Sequence, residues 1–311
     1  MKLFFAPLEG ITTYTFRNVH FEMFGGADSY FAPFINPSDN EKVSKKGFRD
    51  ILPEHNGDTP VTVQVLTSNA ESFLKFEEKL APFPYDEINI NIGCPASTVV
   101  RKGRGSGFLK TPDAMDEFFS EIFSKTAMKI SVKTRIGYSS SEEFPRLMAI
   151  YNKYSIECLT VHPRTREQLY NGECDMDAFS LAYNETRNAL CYNGDIRTAE
   201  DFYSVAEKFP KISSVMLGRG AVANPAIFRE IRGGEKLRTE ELIAFSKLLA
   251  ERYIKVLGSE VFTLRKLKEV WIYAIRNFPE ETKLAKEIKK ATTLSDFMSA
   301  INKLPNLQEK I

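Results

Sequence analysis

Cys94 is the residue whose surroundings point most directly to chemistry. It follows the stretch 87–92, where polar residues alternate with three isoleucines, and it lies between a glycine and a proline. Period-two alternation is typical of a half-buried strand, and the flanking glycine and proline predict that the strand ends in a turn. In α/β proteins the carboxyl ends of strands carry the reactive groups. The pattern therefore favours a presented thiol over the alternative, a small buried cysteine.

Polar residues and glycines also follow the other predicted strands. A barrel with a purely structural role would not need to collect an amide, a thiol, several cations, an imidazole and glycine-rich turns on one edge. We therefore expect one concave site built from Pro7, Leu8, Glu9 and Gly10, Gln64, Cys94, Lys133 and Arg135, His162 and Arg164, Asn193, Gly194 and Asp195, and Gly218, Arg219 and Gly220.

The glycine-rich turns after the last two predicted strands suggest a phosphate site. Backbone N–H groups at such turns bind phosphate, and the Arg219 guanidinium would add a charge. Gln64 and Lys133 then fit the pyrimidine edge and N1 of a flavin mononucleotide lying across the mouth. The structural alternatives are a helix-entry turn at 218–220 and a solvated rim lysine at Lys133.

The elements that must position these residues alternate along the chain. Apolar and alternating runs predict strands at 3–6, 29–33, 61–66, 87–91, 130–135, 158–162, 189–193 and 215–218. Apolar spacings of three and four predict helices at 12–24, 69–80, 113–125, 142–154 and 199–209. Eight such repeats predict an α/β fold, a TIM (β/α)8 barrel, with a doubly wound open sheet as the alternative.

Strand patterns stop at the Gly233-Gly234 pair. Helical patterns follow at 239–257, 262–277, 281–290 and 294–304. We therefore predict a barrel domain at 1–235 and a C-terminal all-α helical domain at 236–311. The second domain holds 15 basic and 10 acidic residues, a net charge of +5, whereas the first holds 27 basic and 31 acidic residues, a net charge of −4.

Composition narrows the class of protein. The 311 residues have a net charge of +1, and the longest apolar runs are too short and broken for an export signal or a membrane span. The four cysteines form no CxxC pair, and the three histidines lack helical ligand spacing, so neither disulfides nor a bound metal is expected. A cytoplasmic monomer without metal fits these features best.

Six ordered motifs resemble those of the tRNA-dihydrouridine synthases, in particular a bacterial branch of that family. They are APLEGIT at 6–12, NINIGCP at 89–95, VKTRIG at 132–137, VHPRTR at 161–166, NGDI at 193–196 and GRGA at 218–221. The resemblance implies FMN as cofactor, NADPH or NADH as reductant, a tRNA uridine as substrate and a tRNA-binding helical tail.

The resemblance also implies roles for single residues. Cys94 would protonate C5 of uracil as a general acid, on a mobile segment at 96–107 that closes over the base. Asn91, Arg135 and Arg164 would contact the substrate. The cofactor would be bound by Pro7, Leu8, Glu9, Gln64, Lys133, His162, Asn193, Gly194, Asp195, Gly218 and Arg219.

Two other functions are compatible with part of the pattern. An FMN barrel of the dihydroorotate dehydrogenase type also pairs a flavin with a thiol or hydroxyl, but it leaves the basic tail unexplained. An RNA-binding protein on a barrel that has lost its activity would be colourless when purified. A visible spectrum separates that protein from both enzymes.

Overall fold

Eight parallel strands close into a barrel in the computed structural model, which describes residues 1–37 and 47–307. Each strand pairs with the next along the chain, and the eighth pairs with the first. The closed barrel confirms the predicted TIM fold and excludes the open sheet. The strands are β1 (Lys2–Phe5), β2 (Ser29–Phe31), β3 (Val61–Val65), β4 (Glu87–Asn91), β5 (Lys129–Arg135), β6 (Leu159–His162), β7 (Leu190–Tyr192) and β8 (Ser214–Leu217).

Helices cover the outside of the barrel because their apolar faces match the outward side chains of the strands. In the helix Ala70–Leu80, for example, Phe73, Phe76 and Leu80 are buried. The Asn69 side chain caps the start of this helix by accepting a hydrogen bond from Ser72 N at 2.8 Å. The helices of this part are α1 (Tyr14–Met23), α2 (Pro53–Asn56), α3 (Ala70–Leu80), α4 (Ser97–Val100), α5 (Pro112–Lys125), α6 (Phe144–Tyr151), α7 (Met176–Glu185), α8 (Ala199–Lys208), α9 (Arg219–Ala223) and α10 (Ile227–Ile231).

All five predicted barrel helices are present, with ends that shift by up to three residues. The helix α7 was not predicted. Only Phe179 and Ala182 of its ten residues are buried, so its apolar periodicity is weak. Four further helices, α2, α4, α9 and α10, have four or five residues each, too few for a periodic pattern to be visible.

The segment 96–107, predicted as a mobile loop, is helical over much of its length. The short helix α4 is followed by a 3-10 turn at Gly105–Lys110. Gly105 has φ +54°, and a Cβ there would lie 2.8 Å from the Cys94 carbonyl oxygen. That oxygen also accepts from Ser106 N at 3.0 Å and from Ser106 Oγ at 2.9 Å. The segment therefore packs directly on Cys94.

The predicted helical tail is present as α11 (Thr239–Leu257), α12 (Glu260–Ala274), α13 (Thr282–Lys290) and α14 (Leu294–Ile301), with a 3-10 turn at Ile275–Asn277. Phe245 of α11 packs on Phe16 of α1 and on Phe24, directly after α1, with ring centroids 5.6 and 5.5 Å apart. Lys266 Nζ donates to Gly10 O at 2.7 Å. The tail thus contacts both the flank and the mouth of the barrel. The domain boundary at residue 235 stays a prediction.

Candidate active site at the mouth of the barrel

Cys94 lies half-buried just beyond the carboxyl end of β4. Its backbone N–H donates to Asn91 Oδ1 at 2.9 Å, and Gly93 N donates to the same oxygen at 3.0 Å. Burial raises the pKa of the thiol, and the negative charge of Glu9 adds to that shift, while Ala96 N–H, Lys133 and Arg135 oppose it. Since the net effect raises the pKa above the ordinary value of 9.0, Cys94 is a neutral thiol at neutral pH.

Asn91 and Gln64 are amides that bond to each other inside the barrel. Asn91 Nδ2 donates to Gln64 Oε1 at 2.8 Å, and Gln64 Nε2 donates to Asn89 Oδ1 at 2.7 Å. Gln64 is fully buried and Asn91 is 7% exposed. Only Asn91 therefore reaches the open mouth. The Gln64 amide supports Asn91 from below, and its contact with the cofactor stays a prediction.

Lys133 and His162 place a cation and a neutral imidazole in the mouth. Burial, followed by the charge of Arg135, lowers the pKa of Lys133 to about 8. Within the part of the chain that the structure describes, the Lys133 ammonium has no hydrogen-bond acceptor. Burial, followed by the charges of Arg135, Lys133 and Arg164, lowers the pKa of His162 well below its ordinary value, so this imidazole is neutral at neutral pH.

Arg135 has a structural role that the sequence did not predict. Its Nε donates to Gly93 O at 2.9 Å, and its Nη1 donates to Thr165 O at 2.9 Å and to Leu169 O at 2.8 Å. The guanidinium is 3% exposed. It therefore joins the turn after β4 to the turn after β6, and most of its donors are unavailable to a substrate.

Arg164 is likewise engaged within the protein. Its side chain is 1% exposed and donates to Gly172 O at 2.6 Å, to Asn171 O at 3.3 Å and to the Asp195 carboxylate, while Nη1 lies 3.3 Å from His162 Nε2. These bonds occupy much of the Arg164 guanidinium, and its predicted substrate contact stays a prediction. Arg164 instead fixes the His162 ring and Asp195.

The turns after β7 and β8 meet at Asp195. Its carboxylate lies between two guanidinium groups, since Arg219 Nη2 donates to Oδ1 at 2.8 Å and Arg164 binds Oδ2. These two cations and one anion leave a net charge of +1. The Asp195 side chain is 27% exposed and the Arg219 side chain is 31% exposed, so this charge faces solvent at the rim.

The glycines near Asp195 allow close packing at the rim. A Cβ at Gly194 would lie 2.5 Å from Tyr192 Oη, and one at Gly218 would lie 3.3 Å from Ala6 Cβ. Asn193 Nδ2 donates to Met216 O at 2.7 Å and so joins β7 to β8. These residues bring the predicted phosphate turns together beside Arg219.

The turn after β1 completes the rim. Pro7 and Leu8 are half-buried and Glu9 is exposed. Leu8 N donates to Thr12 Oγ1 at 2.8 Å, which closes the turn. The negative charge of Glu9 contributes to the raised pKa of Cys94.

Tyr170 is a mouth residue that the sequence reasoning missed. Its ring is 52% exposed and lies between two cations, with Arg219 Cζ 4.7 Å and Arg135 Cζ 5.4 Å from its centroid. The preceding Leu169 has φ +53°, a strained value for a branched residue. The signal available in the sequence was an aromatic residue in a long polar segment after β6.

A candidate metal cluster and a candidate membrane-spanning helix are both absent from the described residues. Between residues 1–37 and 47–307, no group of three or more His, Cys, Asp or Glu side chains is arranged to hold a metal ion. Over the same ranges, no helix combines the length and the apolar character that crossing a bilayer requires.

Comparisons with known proteins show the family of this chain. The family model described as "Dihydrouridine synthase (Dus)" matches residues 4–310. A "Probable tRNA-dihydrouridine synthase" of Staphylococcus aureus (strain COL) is 27% identical over 282 residues, 88% of this chain and 85% of the relative. "tRNA-dihydrouridine synthase B" of Pasteurella multocida (strain Pm70) is 27% identical over 255 residues, 81% of this chain and 74% of the relative.

Solved structures share the fold at low identity. Morphinone reductase has a TM-score of 0.53 and 10% identity, over 76% of this chain and 86% of its own. The old yellow enzyme from Trypanosoma cruzi has a TM-score of 0.52 and 10% identity, over 77% of this chain and 91% of its own. These neighbours support the barrel alone, whereas the family match covers nearly the whole sequence. The chain belongs to the dihydrouridine synthase family.

Proposed function

We propose that this chain is a tRNA-dihydrouridine synthase that reduces the C5=C6 bond of a uridine in tRNA, with FMN as its cofactor and NADPH as its reductant. One observation carries the proposal most strongly. A neutral thiol, Cys94, and an ammonium without an acceptor among the described residues, Lys133, lie at one barrel mouth in a chain of this family.

The residues of the mouth fit a flavin. The reduced form of a flavin carries negative charge near N1, and Lys133 offers a cation that no described side chain neutralises. The net charge of +1 around Asp195 and Arg219 suits a phosphate, and the adjacent Gly218 turn adds backbone N–H donors. Pro7, Leu8, Asn193 and Gly194 would line the space between these ends.

Cys94 supplies the proton in this mechanism. FMN, once bound and reduced by NADPH, would supply a hydride to C6 of uracil, and negative charge would then develop at C5 and O4. The Cys94 S–H bond breaks as a proton goes to C5, and the resulting thiolate recovers its proton from water. Burial and the Glu9 charge keep the thiol protonated until that step. NADPH and one proton are consumed for each dihydrouridine formed.

The target base must leave the folded tRNA to reach this mouth, as base-modifying enzymes generally require. We propose that Asn91 and the neutral His162 lie nearest to the uracil, because both are at the open end of the barrel and retain some exposure. Arg135 and Arg164 would act on the substrate through the turns and the ring that they fix, and the basic tail would hold the tRNA body through phosphates.

The first experiment is to purify the full chain, record its visible spectrum and identify any released flavin by chromatography. We expect a yellow protein that releases FMN. Anaerobic NADPH should bleach the flavin, and unmodified tRNA should restore the colour and gain dihydrouridine. A colourless protein that takes up no FMN would contradict the proposal. Turnover of free dihydroorotate without any effect on tRNA would favour the dihydroorotate dehydrogenase alternative.

A further inference from the structure

A row of buried polar side chains crosses the barrel from its amino end to Cys94. Asn89 Nδ2 donates to Ser131 Oγ at 2.8 Å, and Ser131 Oγ donates to the Glu87 carboxylate. Asn89 in turn accepts from Gln64, and Gln64 accepts from Asn91. We define the polar row as Asn91, Gln64, Asn89, Ser131 and Glu87. It continues the bonds that Asn91 receives from the backbone of Gly93 and Cys94.

The Asn91 end of the polar row determines the donor and the acceptor in every hydrogen bond of the row. Backbone N–H groups only donate, so Asn91 must turn its oxygen toward Cys94 and its amide nitrogen toward Gln64. Gln64 must then present its oxygen to Asn91 and its nitrogen to Asn89. The same reasoning leaves the Asn89 nitrogen facing Ser131, whose hydroxyl hydrogen is free to meet the Glu87 carboxylate. An ionised carboxylate can only accept hydrogen bonds, so Glu87 suits the other end of the polar row.

The members at the centre of the polar row cannot be exchanged for water. Gln64 and Asn89 are fully buried and Ser131 is 1% exposed. An amide that loses its partner there would either remain unsatisfied or flip by 180°. A flipped Gln64 would place its own N–H groups against the N–H groups of Asn91. The orientation of Asn91 therefore depends on Gln64 and Ser131, which lie on the neighbouring strands β3 and β5, and on the far end of its own strand.

We infer that Asn89, Ser131 and Glu87 are positioning residues for the proton donor: through Gln64 they fix the Asn91 amide, whose oxygen holds the turn that carries Cys94. None of the three touches the mouth. Glu87 lies seven residues before Cys94, roughly 20 Å away at the opposite end of the barrel. The inference rests on the proposed role of Cys94 as general acid.

The test compares two buried serines with the same bonding pattern. Ser131 accepts from an amide N–H and donates to an oxygen, and Ser246 in the tail accepts from Trp271 Nε1 at 3.0 Å and donates to Leu242 O at 2.9 Å. Both are 1% exposed. Ser131→Ala and Ser246→Ala thus remove equivalent buried hydroxyl groups, and only the first interrupts the polar row.

We expect Ser131→Ala to lower the rate at which tRNA reoxidises the reduced flavin by roughly tenfold, because small errors in the position of a catalytic group cost large factors in rate. Reduction of the flavin by NADPH should be unchanged, and Ser246→Ala should alter neither half-reaction. Glu87→Gln keeps an oxygen for Ser131 and should stay near the parent rate, whereas Glu87→Leu should repeat the loss.

A second readout does not depend on the reaction. Iodoacetamide labelling of Cys94, followed by peptide mass analysis across a pH series, reports how firmly the thiol is held. We expect faster labelling of Cys94 in Ser131→Ala and in Glu87→Leu, with Cys174 as the internal reference. If both the labelling profile and the tRNA half-reaction match those of the parent, the positioning role is wrong. A parent protein without activity on tRNA but with altered labelling in the variants would refute only the proposed function.

Discussion

The mouth of the barrel and the helical tail use positive charge in opposite ways. At the mouth, Arg135 and Arg164 are almost fully buried and donate to backbone carbonyls, and Lys133 is desolvated enough to have a lowered pKa. In the tail, Lys283, Lys286, Lys290 and Lys303 line a groove between α13 and α14. We name these four residues the lysine groove. All four are exposed to solvent.

The difference separates preorganisation from attraction. Buried cations with fixed partners hold turns and side chains in one geometry, and their contribution hardly changes with salt. Exposed lysines fix little of the fold and attract a polyanion at long range, so that their contribution weakens as salt rises. Single changes at the mouth should therefore affect catalysis strongly, whereas single changes in the tail should affect binding weakly.

The largest expected effect is at Cys94. Cys94→Ala should lower dihydrouridine formation by about 10²–10⁴-fold, the usual contribution of a positioned general acid. It should leave flavin content and NADPH oxidation intact, because hydride transfer into the flavin needs no thiol. Stopped-flow measurement of the two half-reactions checks this, with Cys174→Ala as the matched half-buried cysteine. Near-parent turnover on tRNA would remove Cys94 from the mechanism.

A smaller loss is expected at the phosphate end of the mouth. Arg219→Ala should weaken FMN binding by about 1.5–3 kcal/mol, since it removes a charge-assisted contact and leaves Asp195 with one cation. Equilibrium dialysis of the flavin measures the change. Arg197→Ala, a neighbouring exposed arginine, is the control. Equal FMN affinity in Arg219→Ala and in the parent would place the phosphate elsewhere.

The order of the elements could be predicted from the sequence because period-two and period-3.6 patterns are local. All eight strands and the four tail helices lie within a few residues of their predicted positions. The clustering of polar residues at the mouth could also be predicted from the sequence, because a parallel barrel brings the carboxyl ends of all its strands to one rim. The helix α7 and the short α4 carried too little local signal.

The roles of single side chains could not be predicted in this way. Arg135, Arg164 and Gln64 were expected to contact ligands, yet their polar atoms bond to other parts of the protein. The pattern places such residues at the rim but does not say which carbonyl or amide from a distant turn lies opposite. Tyr170 was missed for the same reason, because its position depends on the bonds that Arg135 makes to residues 165 and 169.

The buried ammonium of Lys133 should lower the stability of the flavin-free protein by a measurable amount. The folded pKa of Lys133, about 8, lies below the ordinary value of 10.5, so below pH 8 the folded protein carries a desolvated charge. Between these values the unfolded chain binds more protons, and stability rises with pH. Lys133→Met should therefore stabilise the flavin-free protein by about 1–2 kcal/mol at neutral pH, which allows for partial solvent access.

That gain should shrink as the pH rises from 8 toward 10.5 and should disappear above 10.5, where both states of the parent become neutral. Urea unfolding of the flavin-free parent and Lys133→Met at two pH values measures it, and Lys79→Met on the barrel exterior serves as the exposed control. The same change should weaken binding of reduced FMN. A variant that is no more stable than the parent at neutral pH would show that the Lys133 ammonium is not desolvated.

The smallest effects are expected in the tail, where the choice of residues decides whether the test is clean. Deleting the tail would strip Phe245 from the aromatic face of α1 and expose apolar surface. Charge reversal at Lys266 or Lys268 would break internal bonds, since Lys266 holds Gly10 O and Lys268 donates to Lys289 O at 2.9 Å. Within the lysine groove, Lys303 pairs with Glu287 at 3.0 Å, whereas Lys283, Lys286 and Lys290 are exposed, make no hydrogen bond among the described residues and avoid both problems.

Replacing Lys283, Lys286 and Lys290 together by alanine should weaken tRNA binding by roughly tenfold at low salt, because each phosphate contact releases condensed counterions. The slope of log affinity against log salt should become less negative by up to about 2–3, one unit for each lost contact.

The control replaces Lys79, Lys208 and Lys211, which are exposed on the barrel. Binding measured by filter retention between about 50 and 200 mM salt distinguishes the two triple variants. If both lose the same affinity and the same slope, net charge alone matters. If only the tail variant changes while its FMN content and NADPH oxidation persist, the tail attracts the tRNA and the mouth performs the chemistry.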